Sequence, residues 1–159
     1  MYRSWVTVIS MIKAYRLHAS LGYHLSLAAR IQERRLEEGL KNLDLTRTTW
    51  CILLAIGNEN LKQPSDIASF VGIDRTATSR ALKQMQSQGL VAKESGQSDK
   101  RTREIALTNL GQEKLLKGSP IALHNNRAME ERLSEADRDV LLRLLQKTHE
   151  GEMIDLAKL

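Results

Sequence analysis

The sequence predicts a mainly α-helical fold that carries one small β-hairpin, an α+β arrangement. Apolar residues recur at helical spacing near both ends of the chain, and a glycine turn joins two short helical segments in the middle. A strand, loop and strand pattern over residues 90–107 follows the second of these segments directly. At 159 residues the chain is close to the size of one domain and can bury a core.

The N-terminal part predicts a long helix from about Ala14 to Lys41, with apolar residues at Leu17, Leu21, Leu25, Ala28, Ile31 and Leu36. The preceding apolar run over residues 5–12 is far shorter than the ~20 residues of a membrane span. Lys13 follows it at once, so we interpret it as a helical extension and not as a signal peptide. We therefore expect no membrane association.

A second, strongly apolar helix is expected over residues 48–56. Thr46 ends the preceding loop and is suited to cap this helix. The residues expected to face the core are Trp50, Leu53, Leu54 and Ile56.

Two short helices joined by a turn come next and predict a helix-turn-helix. Ser65 is expected to cap the first, whose apolar side consists of Ile67, Ala68, Phe70 and Val71. Residues 72–74 form the turn. The second helix covers residues 75–88, and Gly89 is expected to end it as the residue after the C-cap.

The second helix of this pair has one polar and one apolar face. At ~100° per residue, Ala77, Thr78, Ala81, Leu82 and Met85 fall together on the apolar face. The opposite face carries Arg75, Thr76, Ser79, Arg80 and Lys83. Since a major groove admits such a helix, and Arg, Lys, Ser and Thr can reach bases or phosphates, these five residues are the predicted DNA-binding set.

The hairpin that follows predicts a wing, with strands over residues 90–94 and 102–107 and with Ile105 and Leu107 on one face. Its tip is basic, with Lys100, Arg101 and Arg103, and is suited to a minor groove. Thr108 is expected to cap another helix. Two further amphipathic helices are expected in the remainder, broken near Ser134, which resembles a helix start.

The composition favours a polyanionic partner and disfavours several classes of site. The net charge is +5 and the isoelectric point is about 9.5. Cys51 is the one cysteine, which fits a reducing cytoplasm and leaves no disulfide framework. The four histidines show no metal-ligand spacing, and the sequence has neither a phosphate loop nor a nucleophile elbow. We therefore predict no metal, no cofactor and no enzyme activity.

Three spaced motifs resemble the MarR family of transcription regulators. Residues 99–108 are similar to the family's wing signature, D-x-R-x-x-x-x-x-L-T, with each fixed position filled. Gly89, Leu90 and Val91 resemble its G-L-V at the exit of the recognition helix. Leu45, Thr46 and Trp50 resemble its L-T-x-x-x-W. The resemblance extends from about Leu17 to Leu145, most of the chain.

The resemblance implies a homodimer that binds a pseudo-palindromic double-stranded operator. The winged lobe would cover about residues 45–111, and helical dimerisation regions would cover about 14–42 and 112–159. Arg101 would insert into the minor groove, oriented by an ion pair with Asp99. Thr76, Ser79 and Arg80 would lie among the groove-reading residues.

The resemblance also implies repression that a small aromatic or phenolic acid relieves, by binding in a crevice between the dimer helices and the winged lobe. Candidate residues for an aromatic wall and a cation in this pocket are Tyr23, His24, Arg30, Arg47 and Trp50. Two alternatives remain open. Cys51 could act as a redox sensor, although its apolar neighbours disfavour a thiolate. The winged helix could also serve as a protein-interaction module without DNA binding.

Overall fold

The computed structural model describes residues 15–95 and 103–150. This part of the chain contains six α-helices and two strands, in the order α1 Leu21–Leu40, α2 Arg47–Gly57, α3 Pro64–Val71, α4 Arg75–Ser87, β1 Val91–Ser95, β2 Arg103–Leu107, α5 Asn109–Glu130 and α6 Glu135–His149. Single 3-10 turns precede and follow α1, at Leu17–Ala19 and Lys41–Leu43. The predicted class, mainly α with one β-hairpin, is confirmed.

The chain divides into two compact units between Ile31 and Gln32. In the first unit, Ser20 stands before α1, and its hydroxyl accepts a hydrogen bond from the Tyr23 amide at 3.3 Å. The helix predicted from about Ala14 therefore begins at Leu21. The Tyr23 ring lies 4.6 Å from that of His18 and 5.6 Å from that of His24, measured between centroids.

Helix α2 is the centre of the second unit. Thr46 caps it as predicted, with a reciprocal capping box in which the Thr46 hydroxyl accepts from the Thr49 amide at 3.1 Å. Trp50, Leu53 and Ile56 are buried as expected, and Leu54 is half-buried. Ile52 and Ala55, which were not predicted to face the core, are also fully buried. Neighbours therefore surround this helix on almost all sides.

Two glycines allow close packing onto the core. A β-carbon at Gly118 in α5 would overlap the Trp50 indole, and one at Gly39 in α1 would overlap the Ile121 side chain. Trp50 itself is 3% exposed. The absence of a side chain at Gly118 lets α5 approach α2 closely enough to bury the tryptophan, and its absence at Gly39 makes room for Ile121 against α1.

Two predictions about helix α3 are wrong. It begins at Pro64 with Gln63 as N-cap, and the Ser65 hydroxyl contacts the Asp66 carboxylate instead of capping the helix. Proline suits the first helical position because its missing N–H has no partner there anyway. Ile67 and Ala68 are buried, but Phe70 is 48% exposed, because it lies at the edge of the apolar arc centred on Ile67, Ala68 and Val71.

The C-terminal part contains fewer helices than predicted. Helix α5 continues unbroken from Asn109 to Glu130, including Pro120 in its interior, and α6 follows. Thr108 and Ser134 cap these two helices as predicted, each accepting from a backbone amide. In the described residues, no helix is sufficiently long and apolar to cross a membrane.

Candidate nucleic-acid interface

The turn between α3 and α4 positions the predicted recognition helix. Gly72 adopts the left-handed conformation with φ of 72°, which ends α3. Asp74 then caps α4, and its Oδ1 accepts from the Ala77 amide at 2.8 Å. Gly89, with φ of 71°, follows the last turn of α4. Both ends of α4 are therefore determined by local backbone chemistry. The sequence predicted the end at Gly89 and the turn over residues 72–74, but not the cap by Asp74.

Removal of the Asp74 cap tests this positioning. We expect Asp74→Ala to lower the free energy of unfolding by about 1 kcal/mol, because the Ala77 amide loses its acceptor. Asp74→Ser retains a capping oxygen and serves as the matched control. Urea denaturation measures both variants, and an alanine variant as stable as the serine variant would contradict the capping role.

The two faces of α4 are separated as the helical period predicts. Thr78, Leu82 and Met85 are buried, and the Thr78 hydroxyl donates to the Asp74 carbonyl at 3.0 Å. All five predicted DNA-binding residues on the other face are exposed, namely Arg75, Thr76, Ser79, Arg80 and Lys83. The helix therefore presents three cations and two hydroxyls on one accessible surface.

The wing begins directly after α4. Strands β1 and β2 pair antiparallel, from Val91 opposite Leu107 to Ser95 opposite Arg103. Ile105 is buried on the face predicted for it, and Leu107 is half-buried. The predicted tip residues Asp99, Lys100 and Arg101 lie outside the described residues, as does the side chain of Arg103.

A groove lies between the wing and α4. Its cavity of about 260 Å³ is lined in part by Ser79, Lys83, Gln86 and Lys93. Lys93, which lies on β1 opposite Ile105, is not among the DNA-binding residues predicted from the sequence. A lysine where the strand alternation calls for an apolar residue is the signal that could have identified it. Two lysines at this groove favour an anionic partner.

The base of the wing is attached to the lobe at two places. The Ile105 amide donates to the Lys62 carbonyl at 3.0 Å, and Lys62 Nζ lies 3.0 Å from Glu104 Oε2. On the other side, the Thr108 hydroxyl donates to the Leu90 carbonyl at 3.2 Å. The stem of the hairpin is therefore held to both the loop before α3 and the start of α5.

The five candidate effector residues have different surroundings. Tyr23, His24 and Arg30 belong to the first unit, and Arg30 Nε donates to the Ser26 carbonyl at 3.2 Å. In the second unit, Arg47 forms an ion pair with Glu33 at 2.5 Å. Trp50 is a core residue. The Arg47 side chain is 47% exposed and uses one guanidinium nitrogen for Glu33, so a ligand there would share the arginine with that carboxylate. A ligand could reach Trp50 only by rearranging the core.

Cys51 is half-buried in α2. Burial raises the pKa of its thiol, and the nearby Arg47 charge opposes this rise only in part. A raised pKa means a smaller thiolate fraction at any pH near neutrality, which disfavours the redox-sensor alternative. Among the described residues, no three His, Cys, Asp or Glu side chains are grouped so that they could bind a metal ion.

The raised pKa predicts slow alkylation of Cys51. We expect iodoacetamide at pH 8 to modify the native protein more slowly than the urea-unfolded chain, in which the thiol recovers its ordinary pKa. Mass spectrometry of timed samples measures both rates. A native rate that equals or exceeds the unfolded rate would contradict a protected, protonated thiol.

A capped recognition helix behind a glycine turn, followed by an antiparallel hairpin, defines a winged helix-turn-helix protein. Residues 43–102 match the model of the MarR family. The MarR resemblance found in the sequence is therefore confirmed, and the chain has the winged-helix fold of MarR transcriptional regulators.

Three solved structures illustrate this likeness. BpsR of Bordetella bronchiseptica, whose DNA binding is regulated by 6-hydroxynicotinic acid, is 19% identical, with a TM-score of 0.76 over 86% of this chain and 97% of that one. CouR of Rhodococcus jostii, bound to p-coumaroyl-CoA, is 18% identical, with a TM-score of 0.74 over 85% and 95%. Sco3205 of Streptomyces coelicolor, in complex with DNA, is 22% identical, with a TM-score of 0.73 over 87% and 90%. Similarity at these identities establishes the fold.

Proposed function

We propose that this protein is a cytoplasmic, homodimeric transcriptional regulator, without enzyme activity, that represses by covering a promoter and is released from its operator by a small aromatic or phenolic acid. One observation carries the proposal: the outer face of α4 exposes Arg75, Arg80 and Lys83 beside the hydroxyls of Thr76 and Ser79. Arg and Lys can pair with guanine edges, and the hydroxyls can reach bases or phosphates.

The wing supplies the second DNA contact in this proposal. Arg101 would enter the minor groove with Asp99 as its ion-pair partner, and Lys100 and Arg103 would contact the backbone. The basic residues at the groove between α4 and the wing, Lys83 and Lys93, support a phosphate path between the two elements. Sco3205, a protein of the same fold, has a structure in complex with DNA, which supports DNA binding by this fold.

The composition of α6 supports a homodimer. No residue of this helix is buried in the protomer, although it carries Val140, Leu141, Leu142 and Leu144, each at least 42% exposed. Leu123 of α5 is 59% exposed. Val140, Leu141 and Leu144 share one face at helical spacing, and exposed apolar side chains on an uncovered helix favour association with a second copy. Two recognition helices would then read half-sites about 34–36 Å apart.

Release by an aromatic acid is supported by the compound that regulates DNA binding by one protein of the same fold. BpsR responds to 6-hydroxynicotinic acid, which is a small aromatic acid. Such a ligand acts only if it prefers the arrangement that does not bind DNA, because equal affinity for both arrangements changes nothing. The candidate residues for this pocket remain those predicted from the sequence, namely Tyr23, His24, Arg30, Arg47 and Trp50.

The test is fluorescence anisotropy with DNA from upstream of the protein's own gene at two salt concentrations, with salicylate titrated in and the mass of the free protein measured by light scattering. We expect a dimer whose binding prefers this DNA, weakens with salt and is reversed by salicylate. Arg101→Ala should weaken binding to all DNA sequences. It should also reduce the slope of log K against log salt concentration by about the contribution of one phosphate contact. Lys117→Ala on α5 is the control and should leave both unchanged.

The outcomes separate the parts of the proposal. No DNA binding at all would favour the protein-interaction module instead. Normal binding by Arg101→Ala across the salt series would refute the wing contact alone. Specific binding that no aromatic acid reverses would leave a DNA-binding regulator without this mode of release.

A further inference from the structure

A cavity of about 390 Å³ lies at the base of the wing, between the C-terminal end of α2, strand β2 and the first turns of α5. Its apolar lining includes Ile56, Ile105, Leu107, Leu115 and Leu116. The volume falls in the range of about 300–1,000 Å³ that small-molecule sites occupy. None of the candidate effector residues from the sequence lines it, so it is a different site.

Polar groups at the cavity are few and include one cation. Lys62, Asn60 and Gln112 contribute the polar side chains of its lining, and no carboxylate from the described residues lines it. The side chain of Lys62 is 38% exposed and therefore partly withdrawn from solvent. Apolar walls with a few convergent polar groups are typical of sites for small amphipathic ligands.

Lys62 also holds the wing. Its ammonium lies 3.0 Å from Glu104 Oε2, and its backbone carbonyl accepts from the Ile105 amide. An ammonium group has three N–H donors, so the contact with Glu104 leaves others for a second acceptor. The same side chain can therefore contact both a ligand in the cavity and the strand that leads back from the wing tip.

We propose that this cavity binds a small apolar carboxylic acid, with its carboxylate on Lys62 and its hydrocarbon body against the leucine and isoleucine side chains. A charge-assisted hydrogen bond from a partly desolvated ammonium group is stronger than one between neutral groups. The apolar walls contribute through burial of the ligand's hydrocarbon surface. Asn60 and Gln112 are placed to contact a second polar substituent.

Ligand binding here acts on the wing. A ligand carboxylate that shares the Lys62 ammonium with Glu104 places a second negative charge beside the Glu104 carboxylate. The repulsion between the two carboxylates weakens one of the two attachments of the hairpin stem. The equilibrium shifts only as far as the ligand prefers the loosened wing. This consequence for DNA affinity rests on the proposed function, whereas binding of the acid to the cavity does not.

Isothermal titration calorimetry of the full chain with benzoate tests the site, with neutral benzamide and cationic benzylamine as probes of the charge. We expect benzoate to bind, benzamide to bind about tenfold more weakly, and benzylamine not to bind. Lys62→Met should weaken benzoate about tenfold, and Leu116→Trp, which fills the cavity from a position that is 74% exposed, should abolish binding. Lys117→Met removes a lysine from a comparable ion pair with Glu113 and should change nothing.

Absence of benzoate binding would overturn the proposal. Benzoate binding that is unchanged in both Lys62→Met and Leu116→Trp would also overturn it. So would tighter binding of benzylamine than of benzoate. If Lys62→Met does not fold by circular dichroism, Leu116→Trp decides. DNA binding without ligand is measured separately by anisotropy. Intact DNA binding with no benzoate site would refute this inference and leave the DNA-binding proposal standing.

Discussion

Arg80→Ala is expected to lower the affinity for the preferred operator about ten- to hundredfold while changing non-specific binding much less. Arg80 is exposed on the outer face of α4, close to Ser79 and one turn of helix from Thr76. A bidentate contact between arginine and a guanine edge contributes about 1–3 kcal/mol to discrimination between bases. The loss of affinity should therefore depend on the DNA sequence and not only on the salt concentration.

Anisotropy titrations of the operator and of a scrambled duplex, at one salt concentration, measure this difference. Arg34→Ala is the matched control, because Arg34 is an arginine with an 82% exposed side chain that pairs with Glu38 on α1, away from α4. Both variants lose one positive charge. If Arg80→Ala and Arg34→Ala weakened operator binding equally, α4 would not be reading the sequence.

Gly118→Ala is expected to lower the free energy of unfolding by about 1–3 kcal/mol, which is a large part of the stability of a small domain. The added β-carbon would overlap the ring of Trp50, which is itself 3% exposed. A buried indole has few alternative rotamers, so α5 must move away from α2. Helix propensity alone predicts the opposite sign, since alanine favours a helix over glycine by about 1 kcal/mol.

Gly22→Ala provides the comparison, because nothing lies within 4 Å of the position that a β-carbon would take at this helical glycine. The same substitution there should leave stability unchanged or increase it by up to ~1 kcal/mol. Urea denaturation midpoints of the two variants, at equal protein concentration, give the difference. A Gly118 variant as stable as the Gly22 variant would mean that the contact between α5 and Trp50 can relax without cost.

Several local features were predictable because their causes lie within a few residues of sequence. Three of these features are the helix caps at Thr46, Thr108 and Ser134. Each hydroxyl accepts a hydrogen bond from the backbone amide three residues later, which is a short-range interaction. Gly72 and Gly89 adopt positive φ at the ends of α3 and α4. The exposed face of α4 follows from helical periodicity once its apolar side packs on the lobe.

The wrong predictions each depended on packing or on a competing local preference. Ser65 does not cap α3, because Pro64 already occupies the first helical position. Phe70 is exposed because the short helix buries a narrower arc than its apolar residues span. Helix α5 continues through Pro120, since contacts along its length, including Gly118 against Trp50, outweigh the local cost of one proline.

The sequence by itself determined the helix-turn-helix followed by a hairpin, the caps at Thr46, Thr108 and Ser134, the polar face of α4 and the MarR resemblance, because each depends on spacing along a single segment. Only the tertiary structure decided which side chains meet across segments. Lys62 contacts Glu104, and residues of α2, β2 and α5 enclose one cavity beside that ion pair. Contacts between residues this far apart in the chain produce no periodic pattern in the sequence, because they arise from the packing of whole helices and strands.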